Sequence, residues 1–239
     1  MGVEGRSAVV SGGTGVLGRA VVRAYLEAGA HVAAPVRDRA KGDALRAELG
    51  DLAGTDDDPR LLVVEADPAD RAAMDAAVEE VIRRWGRLDA LANLAGGYDR
   101  GAPWDLEAME RQWSANVRTA VTATTACLRP MRARGYGRIV SVGSFGAARG
   151  GADTTGYAMS KTAVVRWTES LAAALKDEGI TANVILPSII DHPVNRERMP
   201  KADAAKWVRP EEIAAVILFL TSPEASGVTG AAIPVLGRV

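Results

Sequence analysis

Tyr157 and Lys161 stand four positions apart within residues 155–176, a segment for which the sequence predicts a helix. This spacing places both side chains on one face of the helix. A phenol with a pKa of about 10 is a poor acid or base at neutral pH. A neighbouring ammonium favours the phenolate and so allows proton exchange. The two residues could also lie unrelated on the surface, because the pattern often arises by chance.

A glycine-rich segment, SGGTGVLG at residues 11–18, follows the first predicted strand and opens the first predicted helix. Small residues there let the backbone approach a pyrophosphate, whose charge the helix N-terminus stabilises. A tight turn between a strand and a helix would need the same glycines. The position of the segment at the first junction of an alternating chain favours dinucleotide binding.

The elements that must position these groups alternate along the chain. Strands are predicted at residues 7–11, 31–36, 61–65, 88–93, 138–142, 181–186 and 231–236, and helices at residues 15–28, 39–49, 69–85, 106–134, 155–176 and 210–220. Short apolar strands that alternate with helices imply right-handed crossovers and a parallel sheet covered on both faces. We therefore predict an α/β, doubly wound Rossmann fold with about seven strands, in a single domain over residues 1–239.

Two irregular stretches, residues 144–154 and 187–208, both follow predicted strands. Ligands bind at the carboxyl ends of the strands in an open parallel sheet. We therefore expect residues 187–208 to form a substrate loop. His192 in this loop could be a proton donor, a substrate ligand or polar lining.

The composition excludes several classes of function. Lys and Arg number 29 against 30 Asp and Glu, so the net charge of -1 leaves no basic excess to attract nucleic acid or an anionic membrane. Cys127 is the single cysteine, which excludes an intrachain disulfide and a cysteine-based zinc site. The acidic residues 56–58 are typical of a solvated loop, so we expect no metal site. The absence of a secretory signal and of an apolar run of ~18–20 residues predicts a cytoplasmic protein.

Several spaced motifs resemble those of the short-chain dehydrogenase/reductase family, and the resemblance covers essentially the whole chain. Residues 11–18 occupy the place of the family's TGxxxGxG motif, with Val16 where the middle glycine is usual. Residues 93–96 resemble its NNAG motif, in which Asn93 largely serves sheet packing. The cofactor-binding residues that the resemblance implies are Gly12, Thr14, Gly15, Val16, Leu17, Gly18, Arg37, Asp67, Pro68, Asn93, Ala95, Gly96, Tyr157, Lys161, Pro187, Ser188 and Ile190.

The resemblance also implies a catalytic set of Asn116, Ser144, Tyr157 and Lys161 for hydride transfer between a nicotinamide and a carbonyl or hydroxyl carbon. Ser144 would hydrogen-bond the acceptor oxygen, and Tyr157 would supply the proton in the reductive direction. Lys161 would bind the nicotinamide ribose and lower the pKa of Tyr157. Asn116 would hold a helix kink and a water that relays protons. The resemblance also implies a homotetramer built on the long helices and the last strand.

The end of the second predicted strand bears on the choice of nicotinamide cofactor. An acidic residue there accepts from the ribose hydroxyl of NAD, whereas an Arg can pair with the 2′-phosphate of NADP. Val36 is not acidic and Arg37 follows it, which favours NADP. Asp38 and a purely solvated role for Arg37 leave NAD possible.

Three functions stay open at this point. The first is a reductase or dehydrogenase of carbonyl and hydroxyl compounds, with 3-oxoacyl thioesters among the candidates. The second is a dihydropteridine or cyclic imine-type reductase, because residues 191–207 resemble the substrate-side loop of dihydropteridine reductase in the same family. The third is a sensor or scaffold that binds NADP without turnover.

Overall fold

Seven strands and eight α-helices alternate in residues 2–239, the part of the chain that the computed structural model describes. The strands are β1 (Ser7–Ser11), β2 (His31–Val36), β3 (Leu61–Glu65), β4 (Ala90–Asn93), β5 (Gly137–Val142), β6 (Ile180–Pro187) and β7 (Ala232–Val235). The helices are α1 (Val16–Glu27), α2 (Arg39–Leu49), α3 (Arg71–Trp85), α4 (Leu106–Trp113), α5 (Thr119–Arg134), α6 (Thr155–Leu175), α7 (Pro193–Arg198) and α8 (Pro210–Leu220).

All seven strands pair in parallel in one sheet, in the order β3-β2-β1-β4-β5-β6-β7. In the register of the central strand, Val9 lies opposite Ala33 of β2 and Leu91 of β4. The strand order reverses between β1 and β4, and such a switch point opens a crevice at the carboxyl ends of the two strands. The predicted doubly wound Rossmann fold is confirmed.

Helices cover both faces of the sheet, which explains why its central strands β1 and β4 are buried throughout. Successive side chains of a strand point to opposite faces. In β1, Ala8 and Val10 belong to the core cluster under α1, α2 and α8, whereas Val9 belongs to the cluster under α3, α5 and α6. All five residues of β1 are therefore buried.

Two elements differ from the prediction. The helix expected over residues 106–134 is divided, because a π-helical segment at Ser114–Arg118 separates α4 from α5. The loop at residues 187–208 contains α7 and a 3₁₀ turn at Ala204–Lys206. The sequence carried a signal for α7, since Pro193 is at a favoured first helical position and His192 caps it.

The longest helix, α6, spans 21 residues and includes Lys161, Arg166 and Glu169. Neither α6 nor any other helix in residues 2–239 is long and apolar enough to cross a membrane. The N-terminal half of α6 lies at the carboxyl end of β5, where Lys161 Nζ donates to the Val142 carbonyl oxygen at 2.9 Å.

Candidate active site

The turn between β1 and α1 is shaped for the close approach of a ligand. Gly12 has a φ of +74°, and a Cβ there would lie 2.7 Å from the Ala95 nitrogen. A Cβ at Gly18 would collide with the Gly12 carbonyl oxygen. Gly15, the N-cap of α1, makes no side-chain capping bond, so the first N–H groups of the helix stay open to an anion. This turn fits the pyrophosphate of a dinucleotide.

Val16 stands where relatives usually carry a glycine, and its surroundings explain why a larger residue is tolerated. Its side chain lines a groove between α1 and α8, together with Ala20 and Pro210. Val16 is not among the residues that line the cavity in front of the glycine turn.

A cavity of about 270 Å³ lies at the carboxyl ends of β1, β2 and β4. Eight residues predicted to bind the cofactor line it: Gly12, Thr14, Gly15, Arg37, Asp67, Pro68, Ala95 and Gly96. The remaining lining residues are Pro35, Val36, Leu94, Ala115 and Thr119. The sequence reasoning missed Ala115 and Thr119, although Thr119 is one helical turn from Asn116 and so could have been found by its spacing.

Arg37 is the only arginine that lines this cavity in residues 2–239, and its guanidinium is free. It is exposed and forms no ion pair or side-chain hydrogen bond within residues 2–239. Asp38 instead caps α2, accepting from the Ala40 nitrogen at 3.0 Å and the Lys41 nitrogen at 3.4 Å. Arg39 pairs with Asp43 at 2.9 Å. Asp38, the acidic residue near the end of β2 that kept NAD possible in the sequence analysis, is therefore engaged in capping α2.

Asn116 lies in the π-helical segment and connects it to the loop after β4. Its Nδ2 donates to the Gly97 carbonyl oxygen at 3.1 Å and to Ser160 Oγ at 3.0 Å, and its Oδ1 accepts from the Gly97 nitrogen at 3.0 Å. A Cβ at Gly96 would lie 2.6 Å from Asn116 Oδ1. Asn116 thus fixes the backbone of residue 97 and leaves no room for a side chain at residue 96.

Lys161 is buried directly beneath this loop. Its Nζ donates to Val142, and a Cβ at Gly96 would lie 3.4 Å from the same Nζ. Burial lowers the pKa of Lys161 to about 8, because the ammonium is removed from water. Asn116 Oδ1 and Lys161 Nζ therefore both lie close to the position that a side chain at residue 96 would occupy.

Tyr157 lies one turn before Lys161 on α6, with Ser144 and Tyr98 beside it. Burial raises the pKa of Tyr157, and the Ser144 hydroxyl beside the phenol opposes this to a smaller extent. The Tyr98 ring packs edge-on against Tyr157, with 4.9 Å between the ring centroids. The expected lowering of this pKa by Lys161 stays a prediction, since burial is the dominant influence on the phenol here.

A second cavity, of about 580 Å³, opens in front of Tyr157. Four residues predicted to bind the cofactor line it: Leu17, Tyr157, Ser188 and Ile190. The substrate loop supplies the opposite wall with His192, Val194, Asn195, Arg198 and Met199. His192 lines the cavity while its Nδ1 accepts from the Val194 nitrogen at 3.0 Å, so it is at once a helix cap and polar lining.

Five residues predicted to bind the cofactor line neither cavity: Val16, Gly18, Asn93, Lys161 and Pro187. For Asn93 the reason is clear, because its Nδ2 donates to Thr124 Oγ1 at 2.9 Å and ties β4 to α5. Its role in sheet packing agrees with the family pattern. Lys161 is covered by the Gly96 backbone, which itself forms part of the cofactor cavity.

Comparison with known proteins places this chain among oxidoreductases. The chain matches a family model described as enoyl-(acyl carrier protein) reductase over residues 14–237. It is 28% identical to a sorbitol dehydrogenase of Cereibacter sphaeroides, over 94% of this chain and 93% of that protein. It is 31% identical to a 3-oxoacyl-(acyl-carrier-protein) reductase of Thermotoga maritima, over 99% and 98%. The solved structure of levodione reductase superposes with a TM-score of 0.86 at 28% identity, covering 98% of this chain and 97% of that one.

A parallel sheet with a phosphate-binding type of glycine turn at its switch point defines a Rossmann-type nucleotide-binding protein. The chain belongs to the short-chain dehydrogenase/reductase family. Its relatives support hydride transfer that depends on NAD or NADP and acts on carbonyl or hydroxyl compounds.

Proposed function

We propose that this chain is an NADP-dependent reductase or dehydrogenase that acts on a ketone, an aldehyde or a 3-oxoacyl compound within a single catalytic domain. The observation that carries the proposal is the position of Tyr157, which has the Ser144 hydroxyl beside its phenol and lines a cavity that Leu17 of α1 also lines. When bound, the nicotinamide supplies or accepts the hydride.

Residues of the chain orient the acceptor, supply the proton and hold the cofactor. Ser144 hydrogen-bonds the acceptor oxygen and opposes the build-up of charge on it. Tyr157, whose pKa is raised by burial, keeps its proton at neutral pH and gives it to that oxygen in the reductive direction. Lys161 holds the ribose of the cofactor and supplies positive charge beside the phenol. Asn116 positions the loop at residues 96 and 97 above Lys161.

Arg37 supports the choice of NADP, since its free guanidinium lines the cofactor cavity. Replacing Arg37 by Ser is expected to raise the Kd for NADPH about tenfold, because a charge-assisted hydrogen bond to the 2′-phosphate is lost. The Kd for NADH should change little. The measurement is fluorescence titration of both cofactors, with Arg39→Ser as the control because Arg39 pairs with Asp43. Equal affinities of the unmodified protein for NADPH and NADH would show that the cavity does not select NADP.

A panel of acceptors tests the reaction itself. NADPH oxidation would be followed with aldehydes, diketones, a 3-oxoacyl thioester and a quinonoid dihydropterin. Turnover of one acceptor class by the purified protein supports the proposal and identifies that class. Saturable NADPH binding without turnover of any acceptor favours the sensor or scaffold hypothesis instead.

A second candidate is reduction of a dihydropteridine or another cyclic imine, because the sequence of residues 191–207 resembles the substrate-side loop of dihydropteridine reductase. A carbonyl acceptor needs the hydroxyl of Ser144, whereas an imine acceptor can do without it. Retained activity of Ser144→Ala towards the dihydropterin, with activity towards carbonyl compounds lost, would favour this candidate.

We also propose that the protein is a homotetramer. Large apolar side chains on α4 and α6 support this, since Leu106, Trp113 and Met159 are each at least half exposed. Sedimentation at micromolar concentration would measure the assembly, and a monomer there would contradict it.

A further inference from the structure

Positive charge is concentrated in the cavity in front of Tyr157. Its wall carries the guanidinium groups of Arg100 and Arg198, and no carboxylate lines it in residues 2–239. The chain as a whole has a net charge of -1, so this excess is local. A concave site lined by one sign of charge raises the local concentration of ligands of the opposite sign.

Arg198 is the free cation of this wall. Arg100 pairs with Asp153 at 3.2 Å, whereas Arg198 has no ion pair or side-chain hydrogen bond in the described part of the chain. The Arg198 guanidinium lies over the Tyr98 ring, with Cζ 5.8 Å from the ring centroid. The same Tyr98 ring also packs edge-on against Tyr157. Tyr98 thus fixes the position of the free cation relative to the phenol.

Arg196, two residues earlier on α7, provides an internal comparison. Its guanidinium donates to both carboxylate oxygens of Asp191, at 2.6 and 2.7 Å. It lines a different cavity, on the side of Trp207. Its charge is therefore matched by a partner, and its donors do not face the cavity of Tyr157.

We infer that the acceptor carries an anionic group that Arg198 binds while the carbonyl group lies at Ser144 and Tyr157. This inference rests on the proposed function. In the reaction, the carbonyl carbon would gain a hydride supplied by the reduced nicotinamide, which is thereby oxidised, the phenol proton goes to the carbonyl oxygen, and the C=O group becomes an alcohol. The anionic group keeps all its bonds. Ile189 and Met199 also line this cavity, which suits an apolar part of the acceptor.

Matched pairs of acceptors test the inference. Acetoacetate and levulinate would be compared with their methyl esters, and acetoacetyl-coenzyme A with the N-acetylcysteamine thioester, so that carboxylate and phosphate are distinguished. We expect the anionic member of at least one pair to have a kcat/KM about tenfold higher. Arg198→Gln should remove this preference through KM, and Arg198→Lys should retain part of it. Arg196→Gln should keep the preference, which makes it the control.

Binding of the same pairs to NADPH-saturated protein, followed by nicotinamide fluorescence, separates this inference from the proposed function. Tighter binding of anions that depends on Arg198, without turnover, would support the inference and overturn the proposed reaction. Equal binding of the charged and neutral members would overturn the inference. An equal loss of affinity for the anions in the Arg198→Gln and Arg196→Gln variants would also overturn the inference. The same holds if none of these compounds binds.

Discussion

Replacing Tyr157 by Phe is expected to reduce the turnover number by about 10²–10⁴-fold, the usual contribution of a positioned general acid or base. The phenyl ring keeps the edge-on contact with Tyr98, so the packing of the cavity should be preserved. The substitution removes the hydroxyl that Ser144 faces and leaves the glycine turn untouched. The Kd for NADPH should therefore stay close to that of the unmodified protein. Steady-state kinetics and fluorescence titration measure the two quantities.

Tyr136 provides the control for this experiment. It lies between the guanidinium groups of Arg6 and Arg138, and its buried hydroxyl has no hydrogen-bond partner within residues 2–239. Tyr136→Phe should leave turnover unchanged, since this ring packs far from the carboxyl edge of the sheet where the cavities lie. Turnover of Tyr157→Phe within a few fold of the unmodified protein would remove Tyr157 from the proposed role.

The fold was predictable because its determinants are local. The strands of a parallel sheet that is covered on both faces are short apolar runs, and the helices between them carry their own periodicity and caps. Asp38 and Asp70 each cap the helix that follows, with side chains that accept from two backbone nitrogens. Such signals lie within a few residues of the element that they define, so the order of elements and most of their bounds could be derived from the sequence.

The parts of the site that the sequence did not reveal depend on contacts between distant segments. The π-helical segment at Ser114–Arg118 accompanies hydrogen bonds from Asn116 to Gly97 and Ser160, which are 19 and 44 residues away. The contact of Arg198 with Tyr98 likewise joins two loops from opposite sides of the cavity. Periodicity and spacing describe one segment at a time, so they cannot identify such pairs.

Lys161→Met is expected to separate function from stability. The variant should lose most of its affinity for NADPH and most of its turnover, because the buried ammonium beside Gly96 is removed. At neutral pH it should nevertheless be more stable than the unmodified protein without cofactor. Burial lowers the pKa of Lys161 from 10.5 to about 8, which corresponds to an unfavourable contribution of up to ~3 kcal/mol while the group is charged. The lost hydrogen bond to Val142 offsets about 1–2 kcal/mol of this gain.

The pH dependence of unfolding gives the sharper test. Because the folded-state pKa lies below the unfolded value, the native protein binds fewer protons than the unfolded chain between pH 8 and 10.5. The penalty is fully present below this window and is relieved as the pH rises through it. From pH 7 to pH 9, Lys161 should therefore add about 1 kcal/mol to the free energy of unfolding of the unmodified protein. Lys161→Met should lack this gain.

Urea unfolding of the cofactor-free proteins at pH 7 and pH 9 measures the difference. Lys176, which is exposed just after α6, provides the matched control, and Lys176→Met should follow the unmodified protein at both pH values. Two results would show that the hydrogen bond to Val142 fully compensates the cost of burying the ammonium. One is a Lys161→Met variant that is less stable than the unmodified protein at pH 7, and the other is a variant that gains as much stability as the unmodified protein between pH 7 and pH 9. With the expected result, the lysine that we propose to bind the cofactor is held in the fold at a cost in stability, because burial beneath residue 96 lowers its pKa.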